Sequence, residues 1–214
     1  MRSGQTEEAI AGRPAADVAE LAQGTAPLIR RPRPADGLDL ARTTFLSGER
    51  VEVAVIASRL DVSQATLYRW FGSRERMIEQ VLDGIAREFL AATKEQSRGH
   101  GDERVLDFAR RLMSVTVTLD PVRAFVEREP QLALRLLLGE RGVIRSTLRD
   151  ALAKIVFETR DAAAARALDD DLDLLVEVAV ALEWATFAIG DEPQIDHAIQ
   201  IMRLILESHS DRRA

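Results

Sequence analysis

The stretch DVSQATLYRWFGSRE, residues 61–75, decides the fold, because it places polar and aromatic side chains directly after an apolar helical repeat. Asp61 lies at the bend, where Asp tolerates the left-handed conformation better than most residues. Ser63 can cap the helix that follows through its hydroxyl. Leu67 and Phe71, four residues apart, share one face of that helix and are expected in the core. The stretch therefore predicts two short helices joined by a tight turn.

The second of these helices carries polar side chains around its N-terminal half. This is the geometry of a helix-turn-helix, whose second helix presents its first residues to base edges in the major groove. An amide such as Gln64 pairs with adenine, methyl groups meet thymine, and hydroxyl and arginine side chains bind phosphate oxygens. The N–H groups at the start of the next helix also suit a phosphate. The alternative is a helical hairpin with a polar surface. The residues predicted on this basis to contact DNA are Ser63, Gln64, Ala65, Thr66, Tyr68, Arg69, Ser73 and Arg74.

Residues 1–35 differ in composition from the rest of the chain, being rich in Gly, Ala, Pro and charged side chains. The stretch PLIRRPRPADG, residues 27–37, has prolines that cannot sit inside a helix. A flexible N-terminal arm is therefore predicted. Its arginines either reach DNA or belong to a solvated tail; they are Arg30, Arg31 and Arg33.

The chain from Leu38 onward is predicted to be helical, because apolar residues recur three and four positions apart and no stretch shows convincing strand alternation. The β-branched run SVTVTL, residues 114–119, is read as continuing a helical stripe. The longest predicted helix, residues 73–96, has Ser73 as its N-cap. The predicted helices cover residues 38–48, 53–60, 63–71, 73–96, 103–118, 122–128, 130–138, 141–160, 170–189 and 193–209.

The composition limits the classes of function. The 214 residues carry a formal net charge of −6, which argues against indiscriminate nucleic-acid binding but allows a local DNA-reading face. The absence of cysteine excludes disulfides and cysteine zinc sites. No apolar run approaches the ~18–20 residues of a membrane span, and the N-terminus lacks the apolar core of a signal peptide. A cytoplasmic protein without membrane contact is expected.

The features of a catalytic site are missing from the sequence. The three histidines, His100, His197 and His209, have no metal-ligand spacing. There is neither a phosphate-binding glycine loop nor a G-x-S-x-G nucleophile motif. No enzymatic activity and no cofactor are therefore expected.

The motif ERVEVAVIASRLDVSQATLYRWFGSRERMIEQVL, residues 49–82, resembles the DNA-binding helices of the TetR family of transcriptional regulators. The shared pattern is an apolar helix, a turn ending in V-S, then T-L-Y-x-x-F, and S-R-E before a long helix. Asp61 stands where the family usually has glycine, and Glu52 stands at a helix cap where Ser, Thr or Asp is commoner. The family's DNA contacts add Trp70, which either stacks on the DNA backbone or packs. The positions that match them are Gln64, Ala65, Thr66, Tyr68, Trp70 and Arg74.

The resemblance implies an all-α, TetR-like fold with three parts. These are the arm at 1–35, a three-helix helix-turn-helix DNA-binding domain at 36–82, and a larger ligand-binding and dimerisation domain at 83–214. It also implies a repressor that binds a palindromic operator as a homodimer and is released by a small apolar or amphipathic effector. The alternative is a ligand-independent dimer that acts as a constitutive repressor. A tightly packed interior favours that alternative, whereas a cavity of roughly several hundred Å³ favours a ligand-responsive protein.

Two stretches narrow the resemblance. YRWFGSRE, residues 68–75, and FVEREPQLALRLLLGERG, residues 125–142, are similar to the QsdR-type subgroup of repressors, which is linked to quorum-sensing lactone catabolism. This similarity implies an effector of the lactone or fatty-acyl type.

The stretch LDLLVEVAVALEWATFAIG, residues 172–190, is apolar around much of its circumference and must be covered on several sides. Together with AIQIMRLILESH, residues 198–209, it is the predicted dimer interface, in which two copies form a four-helix bundle. The alternative is that both helices are internal core. The interface candidates are Leu175, Val178, Leu182, Ile201, Leu204 and Ile205.

An effector pocket is lined mostly by apolar side chains with a few polar ones. For each apolar candidate the alternative is plain core packing, and Glu183 is either a ligand-binding group or an interface residue. A charged cluster at residues 123–129 is expected to be a solvated face. The pocket candidates are Phe89, Leu106, Phe108, Met113, Phe125, Leu132, Leu136, Phe157, Glu183, Trp184 and Phe187.

Overall fold

The computed structural model describes residues 31–116, 118–139, 142–185 and 192–211, and Arg33–Ala214 form one compact unit. The described residues form helices and no strand, as the sequence predicts. A 3₁₀ turn at Asp169–Asp171 precedes α10, and a π-helical turn at Ala181–Ala185 follows it directly. The α-helices are α1 Pro34–Leu46, α2 Val53–Arg59, α3 Gln64–Phe71, α4 Arg74–Gln96, α5 Gly101–Thr116, α6 Asp120–Arg128, α7 Pro130–Leu138, α8 Val143–Thr159, α9 Ala162–Ala167, α10 Leu172–Val180 and α11 Ile195–Asp211.

Helices α1 to α3 pack around a small apolar core. Leu67 and Phe71 of α3 are buried against α1 and α2, as their spacing predicts. Gly37 allows α1 to approach α3 closely, since a Cβ placed on it would lie 3.1 Å from the ring of Phe71. This core holds α3 with its opposite side facing outward.

Helix α4 connects these three helices to the rest of the protein. Its first turn is capped by Ser73, whose hydroxyl accepts a hydrogen bond of 3.1 Å from the N–H of Arg76, as predicted. The helix then packs against α1, α5 and α8. The remaining helices form the larger body, in which α5 and α8 contact each other and α11 packs against α5 and α10.

Several helix boundaries differ from the sequence prediction. Helix α1 begins at Pro34, inside the predicted arm, because proline is favourable at the first helical position. The predicted helix at 170–189 is instead a 3₁₀ turn, α10 and a π-helical turn, with residues 186–191 outside the described part. Helix α9, which is capped by Asp161, is absent from the predicted helices. Helix α5 ends at Thr116, within the β-branched run.

Most of the predicted arm, including Arg30, lies outside the described residues, while Arg31 and Arg33 are exposed. Among the described residues, none of the helices combines the length and the apolar character that crossing a membrane requires.

Candidate nucleic-acid interface and internal cavity

The turn between α2 and α3 has the geometry that its sequence predicts. Asp61 adopts a left-handed conformation with φ of 52°. The N–H of Val62 then donates to the carbonyl of Ala57 at 3.0 Å, which closes the turn. The hydroxyl of Ser63 accepts a hydrogen bond of 3.2 Å from the N–H of Thr66 and so caps α3. These contacts fix the angle between the two helices and orient the first turn of α3.

The outer surface of α3 is formed by the residues predicted to contact DNA. The hydroxyls of Ser63 and Thr66 lie 3.0 Å apart at the start of the helix. Tyr68 is 47% exposed, so its ring and hydroxyl are accessible from outside. Thr66 is half-buried. The exposed members of the surface are Ser63, Gln64, Ala65, Tyr68 and Arg69.

Trp70 differs from its exposed neighbours. It is half-buried, packs against the apolar core, and its ring meets that of Phe71 edge to face at 6.3 Å. These contacts favour the packing alternative for Trp70. Ser73 is also half-buried, with its hydroxyl occupied in capping α4.

Arg74 lies in a different environment from the one that a phosphate contact requires. Its Nε donates to the carbonyl of Val51 at 2.6 Å, and its Nη1 and Nη2 donate to the two carboxylate oxygens of Glu129 at 2.8 and 2.6 Å. The two side chains are 20% and 14% exposed. The guanidinium therefore joins the start of α4 to the body instead of pointing at a ligand outside. We leave Arg74 out of the DNA-contacting surface for this reason.

The acid that binds Arg74 belongs to the charged cluster expected to be a solvated face. That expectation does not hold for Glu129, which is largely buried. It holds for Arg123, Glu127 and Arg128, which are exposed, although the Nη2 of Arg128 also donates to the carbonyl of Gly48. The hydrogen bonds from Arg74, helped by the nearby charge of Arg50, hold the pKa of Glu129 below its usual value. Glu129 and Arg128 are thus part of a joint between the helix-turn-helix and the body.

Aromatic packing completes this joint. The rings of Phe45 in α1 and Phe125 in α6 meet edge to face with centroids 5.6 Å apart. Phe125 is therefore a joint residue in this structure. Val122, one turn earlier on the same side of α6, lines a cavity in the interior of the body. One short helix thus contacts both the cavity and the DNA-reading part.

The cavity has a volume of about 110 Å³ and is walled by α4, α5, α6, α8, α10 and α11. It is smaller than the several hundred Å³ that the sequence analysis associates with a ligand-responsive protein. It is close in size to an engineered apolar cavity of about 150 Å³ that binds benzene. A compact ligand fits without movement of the walls, and a longer ligand requires side chains to shift.

The predicted pocket residues are distributed between the cavity, the core and the surface. Phe89, Phe108, Met113 and Glu183 line the cavity. Leu106, Leu132 and Leu136 are buried but are not among the lining residues, and Phe157 is 46% exposed on α8. The side chain of Trp184 and the whole of Phe187 lie outside the described part of the structure.

Glu183 is the acidic residue of this cavity. It continues the face of α10 that contains Ala179 and Val180, and it lies in the π-helical turn. The hydroxyl of Thr116 donates a hydrogen bond to its Oε1. Burial raises the pKa of Glu183 to about 8, and the bond from Thr116 opposes this shift only in part. The side chain is therefore mainly protonated and uncharged at pH 7.

The predicted dimer residues are divided between the interior and the surface. Leu175 is fully buried and lines the cavity, which leaves it no surface for a partner. Leu204 is 60% exposed, and Leu174 beside the predicted set is 45% exposed. The half-buried members are Val178, Leu182, Ile201 and Ile205.

Residues 100–207 match the family described as Tetracyclin repressor-like, C-terminal domain, which is half of the chain. The chain belongs to the TetR family. The fold and the family are those of DNA-binding transcriptional regulators and not of enzymes, so the fold class and the resemblance stated from the sequence are confirmed.

Solved TetR-family structures agree with this assignment. The TetR-family transcriptional repressor QsdR of R. erythropolis superimposes with a TM-score of 0.74 at 26% identity, covering 81% of this chain and 94% of that one. The TetR-family repressor AlkX from a Dietzia strain, implicated in biodegradation of n-alkanes, has a TM-score of 0.54 and 17% identity over 85% of this chain and 98% of its own. The second match shows the fold alone.

Curated relatives cover a smaller part. The nucleoid occlusion factor SlmA of Shewanella baltica is 31% identical over 113 residues, and that of Shewanella sp. (strain MR-4) is 35% identical over 112 residues. In both cases the match covers 50% of this chain and 53% of the relative, so this TetR-family chain spans about half the length of the curated relatives it matches.

Two side-chain pairings of this TetR-family chain are missed by sequence reasoning. Glu129 and Arg74 are far apart in sequence, and no local pattern pairs them. The position of Thr116 could be found from the sequence, because it follows Met113 and Leu112 on the apolar face of α5 at three- and four-residue spacing. A hydroxyl on such a face suggests a polar partner, which is Glu183.

Proposed function

We propose that this protein is a cytoplasmic transcriptional repressor that binds a palindromic operator as a homodimer and is released by a small apolar or amphipathic effector. The observation that carries the DNA-binding part is the outward face of α3. Its polar first turn is capped by Ser63, while Leu67 and Phe71 anchor the opposite side. An exposed tyrosine and arginine on the outward face of this short helix suit contact with phosphates.

The proposed DNA surface consists of exposed and half-buried residues of the turn and of α3. Gln64 and Ala65 would read base edges, while the hydroxyls and Arg69 would bind phosphates. Trp70 would support the helix from behind, and Ser73 would hold a phosphate only through backbone N–H groups. The surface comprises Ser63, Gln64, Ala65, Thr66, Tyr68 and Arg69, with Ser73 at its edge.

Homodimerisation is supported by the apolar surface on α10 and α11. Two exposed leucines, Leu174 and Leu204, occupy neighbouring helices, with half-buried apolar residues beside them. A symmetric pair of helix-turn-helix units reads two half-sites about one helical turn apart, or a multiple of it. The proposed dimer face comprises Leu174, Val178, Leu182, Ile201, Leu204 and Ile205.

The effector is proposed to bind in the cavity and to act by a population shift. A ligand changes DNA affinity only if it prefers a conformation in which the two DNA-reading units are wrongly placed. Helix α6 is the proposed link, because Val122 faces the cavity while Phe125 contacts the helix-turn-helix part. Helix α4, which lines the cavity and begins beside α3, provides a second link. The lactone or fatty-acyl type suggested by the QsdR-type resemblance belongs to this proposal.

Fluorescence anisotropy tests the DNA-binding proposal with purified protein and duplexes from the DNA upstream of its own coding sequence. We expect saturable binding that exceeds binding to a scrambled duplex and weakens with salt. Arg69→Ala should lower affinity and reduce the slope of log affinity against log salt by about 0.9, the value for one lost phosphate contact. Tyr68→Ala should also weaken binding.

Arg166→Ala is the matched control, because Arg166 is an exposed arginine on α9 in the body. It should leave both affinity and salt slope unchanged. Equal losses in the Arg69 and Arg166 variants would mean that only general positive charge matters. Unchanged binding in the Arg69 and Tyr68 variants would place the DNA contact elsewhere. If no cavity ligand alters the affinity, the constitutive repressor remains as the alternative.

A further inference from the structure

The polarity of the cavity is confined to one place. Among the described lining residues, all are apolar except Thr116 and Glu183, and these two are hydrogen-bonded to each other. The pair joins the end of α5 to the π-helical turn after α10. π-Helical turns inside or at the end of α-helices are frequent at functional sites. A ligand in this cavity therefore meets hydrocarbon on most sides and a single hydrogen-bonding pair.

The described residues that line the cavity include no cationic side chain. The π-helical turn packs against α7, α10 and α11, and Thr116 belongs to α5. The charged side chains that the structure describes on these helices lie away from the cavity lining. Arg135, His197 and Glu207 are exposed, Arg104 is half-buried, and the ion pairs are Asp196 with Arg110, Arg203 with Glu103, Asp173 with Arg149, Glu177 with Arg145, Asp107 with Arg111 and Asp102 with Arg160. The shift in the pKa of Glu183 comes from burial, with a smaller opposing effect of Thr116. The neutral form of Glu183 is thus the one that this packing stabilises.

We infer that the cavity selects compact, uncharged, mainly hydrocarbon ligands that place one hydrogen-bonding group, such as an ester carbonyl, against the Glu183–Thr116 pair, and that it excludes carboxylates. An ionised carboxylate would lose its hydration among apolar side chains and would meet a second acid instead of a cation. A neutral carbonyl has a far smaller desolvation cost and can exchange hydrogen bonds with the pair. The inference rests on the proposed function, since it names the ligand class of the proposed effector site.

Three short linear probes of similar size and different charge test the inference on the full-length protein. They are methyl pentanoate, the pentanoate ion and pentylammonium, which differ in charge at one end. Ligand-observed NMR titration at pH 7 measures binding of each. We expect methyl pentanoate to bind at least about tenfold more tightly than pentanoate, reflecting the cost of burying an ionised carboxylate. Pentylammonium should also bind more weakly than the ester.

Substitutions of Glu183 and Thr116 by residues of similar size test whether their hydrogen-bonding groups, and not only the shape of the cavity, determine ester binding. Glu183→Gln keeps the size and a neutral donor and acceptor, so it should retain ester binding within about threefold. In the wild type, ester affinity should be constant at pH 6–7 and decline above about pH 8, as Glu183 ionises. Glu183→Gln should abolish that decline. Thr116→Val, a change of similar volume, should weaken ester binding, and thermal melting identifies any variant that fails to fold.

The experiments distinguish a failure of the inferred ligand class from a failure of the proposed effector role. Equal or tighter binding of pentanoate or pentylammonium would overturn the inference, as would an ester affinity without pH dependence in the wild type. Absence of ester binding in a protein that still binds DNA would overturn it too. Ester binding that matches these expectations but leaves DNA affinity unchanged would support the ligand class and contradict the proposed effector role.

Discussion

At the scale of single residues, Arg74 shows how a motif position can serve a purpose that its sequence context does not indicate. It follows the N-cap Ser73, where an arginine beside a helix N-terminus suggests a phosphate contact. In the structure it makes hydrogen bonds to Val51 and Glu129 instead. A bidentate arginine–carboxylate pair has a defined geometry, which suits a joint between two parts of a protein. Glu129 therefore matters for the placement of α3 without touching DNA.

The pH dependence of stability tests this joint. The folded protein holds the pKa of Glu129 below its ordinary value, so the unfolded chain binds the proton more readily. The stabilisation is complete above the ordinary carboxyl pKa and is lost as the pH falls through the lowered pKa of the folded state. Glu129→Gln should cost about 2 kcal/mol in unfolding free energy at pH 7, since it breaks a largely buried pair. The difference from wild type should shrink towards pH 3 in denaturant titrations.

Arg74→Met provides the control for a direct role in DNA binding. If the arginine acts only in the joint, the variant loses stability but keeps the wild-type slope of log affinity against log salt. A slope reduced by about 0.9 would instead indicate a lost phosphate contact. A pH-independent difference between Glu129→Gln and wild type would contradict the proposed joint.

At the scale of helices, the sequence predicts those features whose causes lie within a few residues. The turn before α3 is predictable because Asp61 and Ser63 act on their own neighbours. The π-helical turn at Ala181–Ala185 is not, because an apolar composition is compatible with α- or π-helical hydrogen bonding. The cavity cannot be predicted from the sequence either. Leu106 and Met113 are both buried on α5, but only Met113 lines the cavity, and the difference depends on their neighbours in space.

Helix packing is tested by two glycine-to-alanine changes at helical positions. Alanine is favoured over glycine in a helix by roughly 0.5–1 kcal/mol. At Gly84 in α4, no described atom lies within 4 Å of the added Cβ, so Gly84→Ala should stabilise the protein by about that amount. At Gly37 the added Cβ would lie 3.1 Å from the ring of Phe71, so the clash should offset the gain.

Thermal melting of the two variants gives the comparison directly, and hydrogen exchange in α1 and α3 locates the effect. Gly37→Ala should increase exchange in these helices and weaken DNA binding, whereas Gly84→Ala should do neither. Equal stabilisation by both substitutions would show that α1 and α3 adjust without cost, and that the close approach at Gly37 is unimportant.

At the scale of the whole molecule, packed helices connect the cavity with the helix-turn-helix part and with the proposed dimer face. The cavity touches α6, α6 touches the helix-turn-helix part through Phe125, and α10 and α11 form both a cavity wall and an apolar outer surface. A ligand that alters the position of α6 can therefore act on α3 within one chain. A change in α10 or α11 would also alter the relation between two chains in a dimer.

The oligomeric state is tested at the most exposed part of the proposed dimer face. Leu204 is 60% exposed in the single chain, and a glutamate at this position would bury a charge if two copies meet there. Leu204→Glu should convert the dimer to monomer in sedimentation equilibrium while keeping the helical content of the wild type. Its affinity for a palindromic operator should fall to that for a single half-site. Phe157→Glu is the matched control, because Phe157 is also an exposed apolar residue but lies on α8. The proposed face is wrong if Phe157→Glu dissociates the dimer and Leu204→Glu does not.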